Sequence, residues 1–314
     1  MKILFCSDGT VQAEKAAWYG VIIAAAYRAD VSILGIVRKA GDEKNFHKDL
    51  KATLNIFKEK DLGVELITKV GKPVHEIIKH TRETHYDLMI IGAVRKNPIS
   101  AFLNPLWRRV SALGVPAYKI IAAAELPVLM VIGNYPELRR FLICSAGDPN
   151  LDQAVEFAGE IAKAVKAEVD LFHVMQEPPA VYAELIRIEE AAERLLESNS
   201  KLGRTLRRQK DLLEKIGVFG KLLLTHGSVV QELQKELHQT AYDMLVLGSS
   251  SSKGRLSKLA MGDLTREIVE QSELPVLVMQ SQKKSSLVSF LRELPGRLRS
   301  LKSTEDEKED GKSE

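Results

Sequence analysis

Short apolar runs alternate with longer amphipathic stretches along most of the chain. In the first half, the apolar runs predict strands at Ile3–Cys6, Val31–Val37, Val64–Val70, Leu88–Ile91 and Val128–Ile132. In the second half, they predict strands at Phe141–Cys144, Val169–Met175, Lys221–Thr225, Met244–Leu247 and Val276–Met279. Helical spacing fills the gaps, for example over Ala13–Arg28 and from Leu151 to Val165. This alternation predicts an α/β fold with a parallel sheet covered by helices on both faces.

Three segments of the first half recur in the second half in the same order. The matching pairs are Phe5-Cys-Ser-Asp-Gly9 with Ile143-Cys-Ser-Ala-Gly147, Tyr86–Gly92 with Tyr242–Gly248, and Glu125–Met130 with Glu273–Val278. Ordered matches of this kind indicate a duplication. We therefore predict two domains, at residues 1–133 and 138–280. The tail at 281–314 is predicted to hold a short basic amphipathic segment and then a disordered, charged end.

Composition narrows the classes of function. A chain of 314 residues with 45% hydrophobic content can bury two cores. The net charge is +3, and no basic stripe is interleaved with aromatic residues, so nucleic acid is not expected as a partner. Apolar runs such as Tyr19–Tyr27 are too short to cross a membrane, and no signal-peptide pattern is found, so we expect a cytoplasmic protein. Cys6 and Cys144 each end a predicted strand, which favours free thiols over a disulfide.

Metal and enzyme chemistry have little support in the sequence. His75, His80 and His85 recur at a spacing that would spread them around a helix, and no cysteine or carboxylate completes a ligand set. No nucleophile is accompanied by a recognisable base. We therefore predict neither a bound metal nor an enzyme.

The strongest candidate for ligand chemistry lies in the second half. The predicted strand Met244–Leu247 enters a loop of glycine and serine, and a helix is predicted at Asp263–Gln271 after Gly262. A strand, glycine loop and helix in this order present backbone N–H groups to an anion. The sequence thus predicts a phosphate-binding geometry at this point.

Several repeated motifs resemble the universal stress protein family in its tandem form. They are Ser7-Asp8-Gly9, the glycines that open Gly71–Ile77 and Gly227–Leu233, Tyr-Asp before each fourth strand, and Leu-Pro-Val-Leu at each fifth strand. The resemblance implies two doubly wound, five-stranded domains of the adenine-nucleotide alpha-hydrolase-like kind with strand order 3-2-1-4-5. It also implies a crevice between the first and fourth strands, with ATP as a possible cofactor. ATP-binding members carry an acidic residue after the first strand and a glycine-rich run ending in Gly-Ser or Gly-Thr after the fourth.

The second domain matches this ATP pattern only in part. It keeps Gly248 and Gly262, and Ser249 follows the first of these glycines. However, Ser252 stands in place of the middle glycine, Gly254 is displaced, and Asp263 replaces the final Ser or Thr. Ala146 replaces the acidic residue. A carboxylate at Asp263, in the first turn of a helix, would itself occupy the anion site.

The first domain shows the converse departures. It keeps Asp8, Gly92 and Gly114, but Val94–Pro98 replaces the glycine loop, and Val115 and Pro116 follow Gly114. We therefore predict a regulatory protein with degenerate nucleotide sites that acts through an unidentified protein partner. The alternative is an ATP-responsive switch in which the second domain binds ATP through the loop from Gly248 to Gly262.

The fifth strands and two insertions offer contact surfaces. The fifth strands are apolar on both faces, and the resemblance implies that such edges pair, so the two domains would form a pseudo-dimer within the chain. The insertion Ile99–Val110 is interpreted either as a lid or docking surface anchored by Trp107, or as a short helix over the crevice. The insertion Pro179–Lys215 predicts one or two helices, packed on the protein itself or on a partner.

Overall fold

The computed structural model describes residues 1–7, 11–37, 39–95, 109–111, 117–133, 137–175, 194–249 and 263–280. Within these ranges, strands and helices alternate along both halves of the chain, as the hydrophobic pattern predicts. The predictions for the tail at 281–314 and for the first part of the second insertion, 179–193, lie outside the described residues.

The described part of the first half contains six strands and five helices. The strands are β1 (Lys2–Ser7), β2 (Asp30–Val37), β3 (Val64–Val70), β4 (Leu88–Arg95), β5 (Arg109–Ser111) and β6 (Val128–Val131). The helices are α1 (Val11–Tyr27), α2 (Glu43–Asp49), α3 (Lys51–Lys58), α4 (Pro73–Glu83) and α5 (Ala117–Ala123). Helix α4 begins with proline because that position has no intrahelical partner for an N–H group.

The described part of the second half contains five strands, four α-helices described over their full length and a helical stretch at 194–197. The strands are β7 (Arg140–Cys144), β8 (Glu168–Met175), β9 (Phe219–His226), β10 (Met244–Ser249) and β11 (Val276–Gln280). The helices are α6 (Asp152–Val165), α7 (Lys201–Ile216), α8 (Val229–Gln239) and α9 (Asp263–Gln271). Helix α7 is capped at both ends. The Ser200 side chain accepts from the Gly203 N–H at its start, and Gly217 ends the helix in the left-handed conformation.

Each half forms a doubly wound sheet with the same strand order. The order is β3-β2-β1-β4-β6 in the first half and β9-β8-β7-β10-β11 in the second, which is 3-2-1-4-5 in both cases. The main strands of each half run parallel. The register is shared too, since Cys6 lies opposite Ile91 and Cys144 lies opposite Leu247. The duplication seen in the sequence is therefore a duplication of the whole sheet.

The two sheets join through their fifth strands. Strands β6 and β11 pair antiparallel, with Leu129 opposite Leu277 and Val128 opposite Val278. Leu129 and Leu277 are equivalent residues in the repeated Glu-Leu-Pro-Val-Leu segments, so equivalent residues of the two halves lie opposite each other at this junction. The Tyr19 hydroxyl also donates to the backbone oxygen of Asp243, at 2.9 Å, and links the halves on one face of the sheet.

The central strands are buried on both faces. Leu4 and Phe5 of β1 are adjacent in sequence and point to opposite sides, and both are 0% exposed. Leu142 and Phe141 of β7 show the same burial. This explains why these strands are continuously apolar in the sequence and do not alternate. Cys6 and Cys144 are free thiols, and burial raises the pKa of Cys6 to about 12.

The interpretation of Ile99–Val110 as a short helix is wrong at its described end. Arg109 and Val110 belong to β5, which pairs antiparallel with the extension of β4, and Val110 lies opposite Val94. β-Branched residues favour such a pleated ladder over a helix. The remainder of the insertion, including Trp107, lies outside the described residues. Among the described residues, no helix has both the length and the apolar character needed to cross a membrane.

Candidate functional site

The candidate site lies where the strand order of each half reverses. In an open α/β sheet, ligands bind beyond the carboxyl ends of the strands at such a point. The strand order places this point between β1 and β4 in the first half and between β7 and β10 in the second. The two crevices are thus defined by equivalent strands in the same register.

In the second half, a leucine side chain lies against the end of β10. The chain leaving β7 forms a 3-10 turn at Pro149–Leu151 before α6 begins. Leu151 is only 6% exposed, and a Cβ atom added to Gly248 would lie 1.6 Å from Leu151 Cδ2. Gly248 therefore has no side chain because the leucine occupies that space. The entrance of the crevice at β10 is filled by the protein itself.

The loop after β7 is held in place by backbone conformation and by α7. Gly147 adopts a φ of +68°, which favours glycine, and the side chain of Asp148 caps the following turn by accepting from the Asn150 N–H at 3.0 Å. A Cβ atom at Gly147 would also lie 2.4 Å from Leu202 Cδ1, so α7 closely covers this loop. Glycine is required here for both reasons.

A buried polar network ties the same loop to α7. Ser145 Oγ donates to Gln209 Oε1 at 2.7 Å and accepts from the Gly147 N–H at 3.1 Å. Gln209, which is fully buried, donates through Nε2 to Asp152 Oδ1 at 3.2 Å. Arg208 Nε donates to the other oxygen of Asp152 at 2.5 Å. The polar groups at this end of β7 therefore satisfy one another within the protein.

His173 on β8 also forms a hydrogen bond with the end of β7. His173 Nδ1 lies 2.7 Å from the backbone oxygen of Ser145, and since a carbonyl only accepts, Nδ1 carries the proton. Burial lowers the pKa of His173, and the hydrogen bond to Ser145 offsets part of that effect. The ring is therefore neutral near pH 7 and acts as a donor that fixes the end of β7.

The first half has a different arrangement at the equivalent crevice. Strand β4 continues as an extended strand to Arg95, and its last residues pair with β5. Gly92 lies within β4 opposite Val131 of β6 and does not open a loop. The chain that leaves β4 thus begins as a paired strand where nucleotide-binding relatives are expected to form a glycine loop.

The structure gives a mixed outcome for the site residues named from sequence. Gly248 and Ser249 were expected at the start of a loop, but they extend β10 and lie opposite Met279 and Gln280 of β11. The helix predicted at Asp263–Gln271 is α9, with the same bounds. Asp8, Gly114, Ser252, Gly254 and Gly262 lie outside the described residues, so their predicted roles stay predictions.

The residues that fill the second crevice are not evident from the local sequence pattern. Leu151 was assigned to the apolar stripe of a helix, whereas it precedes α6 and points to Gly248. Gln209 lies in an amphipathic helix, and nothing in its local sequence marks it as buried. A detectable signal exists for Leu151, because continuing the match between Ser7-Asp8-Gly9 and Ser145-Ala146-Gly147 places it opposite Ala13, a much smaller residue.

No group of three or more candidate metal ligands is found among the residues that the structure describes. The described polar groups in the second crevice serve as donors and acceptors that hold the loop after β7. Together, the two halves form a tandem pair of α/β folds of the nucleotide-binding type. In the second half, protein side chains occupy the described part of the crevice.

Comparisons with known proteins identify the family. The model of the universal stress protein family matches residues 1–131 and again 137–280, so the chain belongs to this family and has its tandem two-domain form. A sequence search of curated proteins found no significant match.

Solved structures show the same fold over both halves. A universal stress protein from Archaeoglobus fulgidus DSM 4304 is 15% identical, with a TM-score of 0.63 and coverage of 90% of this chain and 98% of that one. A putative universal stress protein from Pseudomonas aeruginosa UCBPP-PA14 is 16% identical, with a TM-score of 0.63 and coverage of 89% and 92%. At this level of identity, the similarity supports the fold alone.

Proposed function

We propose that this chain is a regulatory protein of the stress response, located in the cytoplasm, that acts by binding protein partners and not by catalysis. In this proposal both nucleotide sites are degenerate. The observation that carries it is the contact between Leu151 and Gly248, which places an apolar side chain at the end of β10 in the second crevice. The buried network around Gln209 supports the same conclusion, because its polar atoms already have partners within the protein.

The proposed architecture is an intramolecular pseudo-dimer. It is supported by the antiparallel pairing of β6 with β11 and by the equivalence of Leu129 and Leu277 across that junction. Pairing the fifth strands with each other removes two apolar edges from solvent. One chain then presents two related but different surfaces to a partner.

The alternative function is an ATP-responsive switch centred on the second half. It is favoured by one observation, namely that β10 ends shortly before a helix that begins at Asp263. A strand followed by a loop and a helix start is an order of elements that can bind phosphate groups. In this alternative, the loop from Gly248 to Gly262 would hold the phosphates of ATP.

Thermal unfolding with and without millimolar Mg-ATP separates the two functions. A ligand at about one hundred times its dissociation constant stabilises a protein by about 3 kcal/mol, which raises the midpoint by several degrees. We expect no shift for the wild-type chain, and a clear upward shift would overturn the proposal. Phosphate release from ATP, measured in the same samples, tests the proposed lack of enzyme activity.

Two variants test why the second site would be closed. Leu151→Ala removes the side chain at Gly248, and Asp263→Ser restores the hydroxyl expected in ATP-binding relatives. We expect the double variant to gain an ATP-dependent shift that the wild-type chain lacks. Ala13→Gly, at the equivalent position of the first half, is the matched control and should leave the response to ATP unchanged. Failure of the double variant to bind, with its fold intact, would contradict this account of the site.

A further inference from the structure

Strand β3 forms one outer edge of the described sheet. Among the described residues it pairs only with β2, and strand β9 forms the opposite edge, paired only with β8. An edge strand presents backbone N–H and C=O groups that can pair with another strand. The two edges differ in regularity and in charge, and the difference favours β3 as a contact surface.

The register of β3 shows which of its residues can pair outward. The Gly71 N–H donates to the Val37 backbone oxygen on β2, at 3.0 Å. Because the direction of the amide groups alternates along a strand, odd-numbered residues of β3 face β2 and even-numbered residues face outward. The outward residues are Val64, Leu66, Thr68 and Val70, and the register with β2 is unbroken from Val64 to Val70.

The charges on β3 are self-complementary. In an antiparallel pair of two β3 strands centred on Ile67, Glu65 of one strand lies opposite Lys69 of the other, and Val64 lies opposite Val70. Residues directly opposite each other point to the same face, and opposite charges at such positions attract. Glu65 is exposed, and Val70 is 44% exposed, one of three large apolar side chains with such exposure among the described residues.

Strand β9 does not have self-complementary charges. Pairing β9 with itself about Leu223 would place Lys221 opposite Thr225, with no opposite charge. The register of β9 also shifts between Val169 and Leu171 of β8, because one extra residue of β9 interrupts the ladder there. Bulges twist an edge away from further pairing. Thus β9 carries a protective feature that β3 lacks.

We propose that β3 is a homodimer interface, at which β3 of a second copy pairs antiparallel in a register centred on Ile67. Ile67 then faces its own counterpart as a pair without hydrogen bonds, because its amide groups face β2. Leu66 and Thr68 exchange the central hydrogen bonds, and two Glu65–Lys69 pairs flank them. The contact is closed by two-fold symmetry, so it yields dimers and not fibres.

Disulfide trapping tests the register directly. Facing residues of a pair without hydrogen bonds have Cα atoms about 4.5 Å apart, within the range that a disulfide spans. We expect oxidation of Ile67→Cys to give a covalent dimer on a non-reducing gel. The control is Leu66→Cys, since two copies of residue 66 would lie about 8 Å apart in this register and should not be linked. No dimer from Ile67→Cys, or equal dimer from both variants, would overturn the proposal.

Charge reversal provides a second test that needs no oxidation. Analytical ultracentrifugation of the full chain should show a dimer whose dissociation constant rises about tenfold or more in Lys69→Glu. The variant with both Glu65→Lys and Lys69→Glu restores opposite charges across the two-fold axis and should recover the dimer. Lys221→Glu on β9 should have no effect, with circular dichroism confirming the fold of each variant. A monomer at all concentrations, or a loss of dimer in Lys221→Glu, would overturn the proposal.

Discussion

The two halves share a strand order and register but stabilise the ends of their sheets differently. At the carboxyl end, Leu151 of the second half stands where the first half has Ala13. At the amino end, fully buried Asp170 on β8 stands where β2 has Ser32. The shared sheet therefore constrains the backbone, while the residues at its ends have diverged. The first half extends β4 to pair with β5, whereas in the second half the Leu151 side chain lies against the end of β10.

The polar contacts at the amino ends of β8 and β2 show how far the two halves have diverged. Asp170 receives two contacts from Arg140, at 2.8 and 3.0 Å, and accepts from the Tyr242 hydroxyl at 2.9 Å. It also accepts from the Lys221 N–H at 3.1 Å. Ser32 is a neutral residue, and its hydroxyl donates to Glu65 at 3.0 Å. A fully paired buried ion holds its neighbours strongly, but its removal leaves their charges unpaired.

Asp170→Ala should have the largest effect of the changes considered. It leaves the Arg140 guanidinium and the Lys221 N–H without their acceptor, so we expect a loss of about 3–5 kcal/mol in the free energy of unfolding. The matched change in the first half, Ser32→Ala, removes a neutral donor to Glu65 and should cost about 1 kcal/mol. Urea unfolding of both variants measures the difference, and equal losses would show that the halves do not differ as described.

Gly248→Ala should have the next largest effect. The added methyl group would meet Leu151 Cδ2, and because this core site is closely packed we expect a cost of about 1–3 kcal/mol. The double variant with Leu151→Ala makes room for the methyl group, so the two costs should not add. Urea unfolding of both single variants and the double variant measures this coupling. Strictly additive costs would mean that Leu151 does not occupy the crevice in solution.

The sequence predicts the fold well because periodicity and repetition are local signals. Ten of the eleven strands in the described residues were predicted, with bounds that differ by a few residues, and α9 was placed correctly. Strand β5 was missed because its three residues have no periodic pattern and depend on pairing with β4.

The crevices were harder to predict, for a physical reason. The contact between Leu151 and Gly248 joins residues far apart in sequence, and each residue is ordinary in its local context. Gln209 is polar and lies in a helix, so only its tertiary partners reveal that it is buried. Such contacts depend on how elements pack, which a pattern of apolar residues does not record.

A buried histidine in the second crevice should make stability depend on pH. Because burial lowers the pKa of His173 below its ordinary value of 6.5, the unfolded chain takes up a proton before the folded chain does. Stability is therefore retained above about pH 6.5 and falls as the pH drops below it. His173→Asn keeps a donor for Ser145 without a titrating ring, and it should reduce the loss between pH 7 and 5.5 by about 1 kcal/mol.

His80 of the first half also has a lowered pKa, through burial and then through Lys69, so some pH dependence will remain in His173→Asn. Urea unfolding of wild type and His173→Asn at several pH values measures the difference in their free energies of unfolding. An identical slope in wild type and His173→Asn would mean that His173 is not held neutral by the fold.

The smallest effect is expected for a contact between Tyr118 and Arg266, two equivalent positions that hold different residues in the two halves. Continuing the match between Glu125–Met130 and Glu273–Val278 makes Tyr118 and Arg266 equivalent, and they face each other across the junction with the guanidinium 4.3 Å from the ring centroid. In a symmetric dimer the same position would pair two tyrosines or two arginines, whereas here a cation lies over an aromatic ring. Tyr118→Arg places two cations together and should cost about 0.5 kcal/mol, and adding Arg266→Tyr should restore most of it by reversing the pair. If the reversed pair is no more stable than the sum of the single changes in urea unfolding, the contact makes no specific contribution to joining the halves.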